Sequence, residues 1–131
     1  HGTEAVLTVT ESQVPWSTVM IRKSFGVAAA AHYGPDGYVL AWPSAESGPL
    51  PLEGGVAVAF KKEIANAPDP EAKRKEIELS LAKNQDPFPR AENFSVHEII
   101  DPRETREYLS NWIERVQPQL KAKLLSKRSR H

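Results

Sequence analysis

The sequence predicts an α/β fold in one domain, and three observations carry that prediction. Short apolar runs without polar alternation recur between helix-like segments, the pattern of strands buried on both faces of a parallel sheet. Asp-Pro pairs stand at the head of two of the helix-like segments, where the aspartate caps and the proline gives up no hydrogen bond. Strand and helix also alternate along the chain instead of clustering by type. With 131 residues there is room for one sizeable core and not for two.

Residues 3 to 13, TEAVLTVTESQ, mix strand-favouring Thr8, Val9 and Thr10 with a helix-compatible spacing of Ala5, Val6 and Val9. They read as helix, because Pro15 needs an extended residue before it and so sets a boundary at Val14. Ser17 to Lys23 holds the run Thr18-Val19-Met20-Ile21, a buried strand that Phe25-Gly26 breaks. Val27 to Ala31 is a segment of small side chains that lets a helix approach its neighbours closely. Gly34-Pro35-Asp36-Gly37 has the chemistry of a tight turn. Tyr38 to Trp42 is then a second buried strand, stopped by Pro43.

SAESGPLPLEGG reads as loop and leads into a helix from Glu53 to Asn66, whose buried stripe is Val56, Phe60 and Ile64. Asp69-Pro70 opens the next helix, an exposed one that buries little beyond Ile77 and Leu81. On it Glu71 and Lys75 sit four apart in the favourable order. The chain turns at Pro87 and Pro89, and Val96 to Ile100 is a short strand. Asp101, Pro102 and Glu104 then supply cap, first position and third position of the last helix. Its apolar stripe is Leu109, Trp112, Ile113, Val116 and Leu120. Pro118 should kink or end it, dividing the chain into a domain over 1–117 and a basic solvent-facing tail over 118–131.

Several function classes fall away on composition. Seventeen basic residues balance seventeen acidic ones, so no net field draws the chain to nucleic acid or a membrane surface. The tail KAKLLSKRSRH alone is slight footing for a nucleic-acid role, and none is expected. No apolar run approaches the ~20 residues that span a bilayer, and no secretory signal pattern opens the chain. The start at His1, without methionine, fits processing, a fragment or an expression boundary equally. Cysteine is absent, which excludes disulfides and thiolate zinc sites and fits a reducing compartment. His1, His32, His97 and His131 share no ligand spacing, so no metal is expected.

Side-chain nucleophiles are equally unsupported. Ser17, Ser24, Ser44, Ser47 and Ser95 lie in no Gly-x-Ser-x-Gly elbow. Gly54-Gly55, where a helix begins, can offer backbone N–H groups to an anion, but the Lys-Ser/Thr of a phosphate loop does not follow. What remains is backbone chemistry at Ser24-Phe25-Gly26-Val27-Ala28, where a buried strand gives way to a helix. The first N–H groups of such a helix have no acceptor within it and carry the positive end of its dipole. Converging on a carbonyl oxygen, they form an oxyanion hole. The same residues also suit a plain strand-to-helix turn, with glycine for geometry and alanine for packing.

Three segments, RKSFGVAAAA, AWPSAESGPLPLEGGVAVAF and HEIIDPRETREYL, together resemble the carboxyltransferase (beta) subunit of biotin-dependent acyl-CoA carboxylases, such as the propionyl-CoA carboxylase beta chain. The likeness covers about Val14 to Leu109, and AWPSAE and IIDPRETR are its most specific parts. It implies a crotonase-like fold of repeated strand-strand-helix units, of which this chain is a partial C-terminal half. It further implies that the N-terminal half of such an enzyme holds acyl-CoA while the C-terminal half receives carboxybiotin, with sites between halves of different subunits. Gly26, Val27 and Ala28 match the family's oxyanion turn, usually Gly-Gly-Ala, whose amides polarise the biotin ureido oxygen. Phe25, Trp42, Pro43, Glu46, Gly54 and Gly55 match segments that frame the biotin site. Arg103, Glu104 and Arg106 match DPRETR and read as structural or interface charges.

The resemblance implies an oligomer whose partners are an acyl-CoA-binding half and a biotin carboxyl carrier with its biotin carboxylase. It implies biotin as the cofactor and an acyl-CoA as substrate, in the cytoplasm or the mitochondrial matrix. By itself the chain is then not expected to transfer carboxyl groups. Val27 for glycine and Leu50-Pro51 for the usual Met-Gly depart from the family pattern. These departures support a second reading, a non-catalytic assembly module. A CoA-dependent decarboxylase subunit of the same fold is a third.

Overall fold

The computed structural model describes residues 2–34 and 36–128. Helix α1 (Gly2–Thr10) comes first, as expected, and none of its residues is buried. Strands β1 (Ser17–Met20) and β2 (Lys23–Phe25) run into α2 (Gly26–Ala30), a first strand-strand-helix unit. The second unit is β3 (Tyr38–Ala41), β4 (Glu46–Gly48) and α3 (Leu52–Ala59). After α4 (Lys61–Ala65), α5 (Pro70–Ala82) and α6 (Pro87–Glu92), strand β5 (Glu98–Ile99) begins a third, and α7 (Thr105–Arg128) follows it. First strands pair with first strands in the order β1-β3-β5, and second strands pair as β2-β4. Every pairing is parallel, with Thr18 opposite Val39 and Ser24 opposite Ser47. The repeated crotonase-like arrangement is therefore present.

The core lies where the first-strand sheet meets α6. Met20, Val39, Ala41, Ala45 and Val96 form one buried cluster, flanked by Tyr33, Ala91 and Ile99. Leu40 and Val56 are 0% exposed, and burying such a side chain stabilises by about 1.5–3 kcal/mol. The turn after α2 depends on glycine. A Cβ on Gly37 would stand 1.6 Å from the Tyr33 carbonyl oxygen, a contact no side chain tolerates.

A histidine completes the sheet. Val39 turns its N–H and C=O away from β1, and both go to His97. The Val39 N–H donates to His97 Nδ1 at 3.0 Å, and the His97 N–H donates to the Val39 oxygen at 2.8 Å. The imidazole thus stands in for a strand carbonyl, which extends the β3–β5 ladder beyond the two residues of β5.

Several expectations need correction. Ser17 to Lys23 is not one strand: the chain bends at Ile21-Arg22 and re-forms as β2, because the two strands join different sheets. The expected loop after Pro43 contains β4, a three-residue strand that exists by pairing with β2. The expected helix over 53–66 is two, since Phe60 leaves helical backbone (φ −106°, ψ 19°) and the bend lets both pieces lie on α5. Residues 87–92 form a helix instead of a turn. Asp86 caps it by accepting the Phe88 N–H at 3.0 Å, and Pro87 and Pro89 fall in its first turn, where their missing N–H groups cost nothing.

Pro118 does not end α7, which continues to Arg128 across the expected boundary between residues 117 and 118. Glu114, whose carbonyl loses its helical partner there, is exposed, so water can take that place. Residues 129–131 of the expected tail lie outside the described residues. The favourable Glu71–Lys75 spacing is not used. Instead Lys73 reaches Glu63 and Glu76, and Arg74 reaches Glu78.

Candidate active site

The junction of β2 and α2 is built by one backbone torsion. Phe25 is extended (φ −123°, ψ 149°) and no side chain caps the helix that follows. Gly26 takes φ +75°, the left-handed region, and a Cβ there would find only the Pro49 carbonyl oxygen, at 3.8 Å. Glycine is needed for the torsion and not for space. Val27 already lies in the right-handed helix with its side chain 71% exposed. The departure from Gly-Gly-Ala thus falls where a side chain is tolerated. The N–H groups of Val27 and Ala28 have no acceptor within α2, while Phe25 still pairs with Gly48 in the β2–β4 ladder up to Gly26.

In front of this turn is a cavity of about 310 Å³ lined by Ser24, Gly26, Val27, Ala29, Ala30, Tyr33, Gly48, Pro49 and Arg90. The walls are mostly apolar or small. Ser24 Oγ and the Tyr33 hydroxyl lie 3.3 Å apart, and the Tyr33 hydroxyl donates to Met20 Sδ at 3.5 Å. Phe25 does not line the cavity; its ring lies beside Gly48, where a Cβ would sit 3.7 Å from it. Arg90 comes from α6, and its Nε–H is buried without a partner.

The other residues singled out from the sequence lie elsewhere. Pro43 and Glu46 are exposed and line a separate depression of about 370 Å³ with Leu52, Gln85 and Pro87. Trp42 is committed to the scaffold: its indole N–H donates to Thr105 Oγ1 at 2.9 Å, and Thr105 Oγ1 donates to the Pro102 oxygen at 2.8 Å. The AWPSAE and DPRETR segments therefore hold each other. Within DPRETR, Asp101 accepts the Arg103 N–H at 2.9 Å and closes on its guanidinium at 3.0 and 2.6 Å. That contact holds the Asp101 carboxyl below its ordinary range.

Gly54 takes φ +80° inside the start of α3, and with Glu53 it leaves helical backbone. Glu53 reaches back to Lys23 at 3.0 Å. The Lys23 hydrogen bond keeps the Glu53 carboxyl below its usual value. Gly55 is tight, with a Cβ there meeting Leu50 Cδ1 at 3.0 Å. Of the residues singled out, Gly26 and Val27 line the cavity, Phe25 and Ala28 flank them without lining it, and Trp42, Pro43, Glu46, Gly54 and Gly55 lie outside it.

Sequence reasoning placed Ser24 at the head of this turn but missed Tyr33, Pro49 and above all Arg90 as cavity residues. The Asp86-Pro87 helix start could have put Arg90 on a helix. Nothing local ties position 90 to position 26, because only the packing of α6 on the sheet joins them. Among the described residues no cluster of His, Asp and Glu suits a metal ion, and no helix is long and apolar enough to cross a membrane.

Comparison with known proteins places these features in context. The carboxyl transferase domain family matches residues 1–130. The methylmalonyl-CoA carboxyltransferase 12S subunit of Propionibacterium freudenreichii subsp. shermanii is 36% identical over 118 residues, covering 87% of this chain and 22% of that protein. The propionyl-CoA carboxylase carboxyltransferase subunit of Haloferax mediterranei is 34% identical over 114 residues, covering 83% of this chain and again 22% of the relative. A crystal structure of transcarboxylase 12S, described as a hexamer with methylmalonyl-coenzyme A bound, superposes with a TM-score of 0.70 at 35% identity. That match covers 88% of this chain and 23% of the other. The chain spans less than a quarter of the length of these relatives.

Proposed function

The chain belongs to the carboxyl transferase domain family, and from that premise we propose that it forms the biotin-facing part of an acyl-CoA carboxyltransferase. The substrate class is an acyl-CoA such as propionyl-CoA, held by an acyl-CoA-binding half outside this chain. The partners are that half and a biotin carrier with its carboxylase, in an oligomer. The chain through α7 then belongs to the C-terminal domain of the enzyme, in the cytoplasm or the mitochondrial matrix.

The observation that carries this reading is the cavity in front of Gly26. It has the character a ureido ring requires: small and apolar walls, the start of α2 with no side-chain cap at one end, and a buried donor on Arg90 without a partner. When bound, biotin supplies a ureido nitrogen able to carry a carboxyl group. The amides of Gly26, Val27 and Ala28 hold the ureido oxygen. Being fixed by the φ of Gly26, they need no reorganisation as charge grows there. Val27, Ala29, Ala30 and Pro49 keep water from the ring, and Phe25 backs the turn. Pro43, Glu46 and Gly54, exposed on the same chain, face the carrier or the neighbouring half. Trp42 and Gly55 hold the segments that bear them.

The test is Ala28→Pro in a reconstituted enzyme with the acyl-CoA half and a biotinylated carrier. Proline at the third helical position removes one amide donor, and α6 already accommodates Pro89 at that place. Biotin-dependent carboxyl transfer should fall by about 10²–10³-fold, with the circular dichroism of the chain unchanged. An undiminished rate in the folded variant would discard the amide hole.

A further inference from the structure

Three other arginines have partners for their side chains. Arg74 closes on Glu78 and Arg103 on Asp101, and Arg115 Nε donates to the Asn111 oxygen. Arg90 forms no ion pair among the described residues, and its Nε–H is buried with no acceptor. No carboxylate lines the cavity it borders. Its backbone is nevertheless pinned: the Arg90 carbonyl accepts the Ser95 N–H at 2.9 Å and the Val96 N–H at 3.1 Å, and Val96 is 0% exposed. A fixed cation with an unused donor, set at an apolar cavity, disfavours folding and favours an anion.

Resting on the reading of this cavity as the ureido site, we infer that Arg90 is its carboxylate-binding residue. It holds the carboxyl group in transit, whether that group arrives on the biotin nitrogen or on the carboxylated acyl-CoA. A guanidinium is planar, permanently charged and forked, so it matches a carboxylate with two parallel hydrogen bonds. It binds and orients the group and moves no proton. Ser24 and Tyr33, which lie against each other, complete the polar side of the cavity.

The first test reads binding by the chain itself. Titrating formate into the ¹⁵N-labelled chain should shift the Arg90 Nε–H resonance and the Gly26 and Val27 amides saturably. Acetamide, a neutral analogue, should leave them in place, as should sodium chloride at matched ionic strength. Arg90→Gln keeps length and a donor but loses the charge, and it should abolish the formate response. In the reconstituted enzyme the same variant should raise the KM of the carboxylated carrier by about tenfold to a hundredfold, the worth of a charge-assisted pair. Arg90→Lys should recover part of that loss. If the KM of the carboxylated acyl-CoA moves instead, the carboxylate is the one on the CoA side.

A formate titration that leaves Arg90 unmoved, or that moves the amides equally in Arg90→Gln, overturns the assignment. Ala28→Pro separates this from the broader reading. Full activity in that variant with an intact formate response removes the amide hole and keeps Arg90. The reverse pair of results removes Arg90 and keeps the hole.

Discussion

Two polar regions of this molecule are built to opposite rules. In the seam where β3 and β5 meet α7, the polar groups find partners. Val39 exchanges hydrogen bonds with His97, the Tyr38 hydroxyl donates to Glu98, Tyr108 leans on the same carboxylate, and the Trp42 indole meets Thr105. In the cavity before α2, no side chain caps the helix start and Arg90 keeps an orphaned donor. A buried donor without a partner destabilises the fold, while a matched one holds elements together. The seam therefore reads as architecture, and the cavity as a place that awaits a ligand.

That contrast can be broken by four measurements. The largest effect should come from His97→Leu, which removes the acceptor of the Val39 N–H in the middle of a buried strand. Leaving that group unsatisfied costs about 1–3 kcal/mol, read as a lower urea midpoint. Trp42→Phe keeps an aromatic side chain but deletes the indole donor and part of the ring, so chemical unfolding should show a loss of about 1–2 kcal/mol. Arg90→Met should act with the opposite sign. It retains an apolar stem and discards the orphaned donor, and the chain should gain about 1 kcal/mol. A destabilised Arg90→Met would erase the distinction between the two regions.

The smallest effect concerns Tyr38. Burial first, and then the hydrogen bond to Glu98, push its hydroxyl up from an ordinary 10.0 to about 12. Folding thus favours the protonated phenol. The unfolded chain gives up this proton first, so the contribution is whole below pH 10 and is lost as pH climbs towards about 12. Tyr38→Phe should flatten that decline in an alkaline denaturation series. An unchanged slope would detach Tyr38 from the seam.

How much of this was legible in advance follows the range of each interaction. Asp69 and Asp101 cap as their Asp-Pro signals say, with Asp69 accepting the Ala72 N–H at 3.0 Å, because capping is settled within four residues. β1 and β3 were visible as apolar runs, although burial on both faces holds for β3 and not for β1, where only Met20 is buried. β2 and β4 were not visible. KSF and ESG carry no apolar period, and each is a strand only because the other lies beside it. Asp86-Pro87 carried the same local signal as the other caps, but Pro89 two residues on masked it.

The site divides along the same line. Sequence alone determined the strand-to-helix turn at Gly26, since a glycine there permits the left-handed backbone the turn uses. It also determined the motifs whose likeness indicated the family. Tertiary structure decided that Arg90 should stand opposite that turn, that Trp42 should be spent on Thr105, and that His97 should serve as part of a strand. Each of these joins residues far apart in the chain. Local pattern records what a residue prefers near its neighbours, and only the closed fold fixes which distant groups must share a buried space.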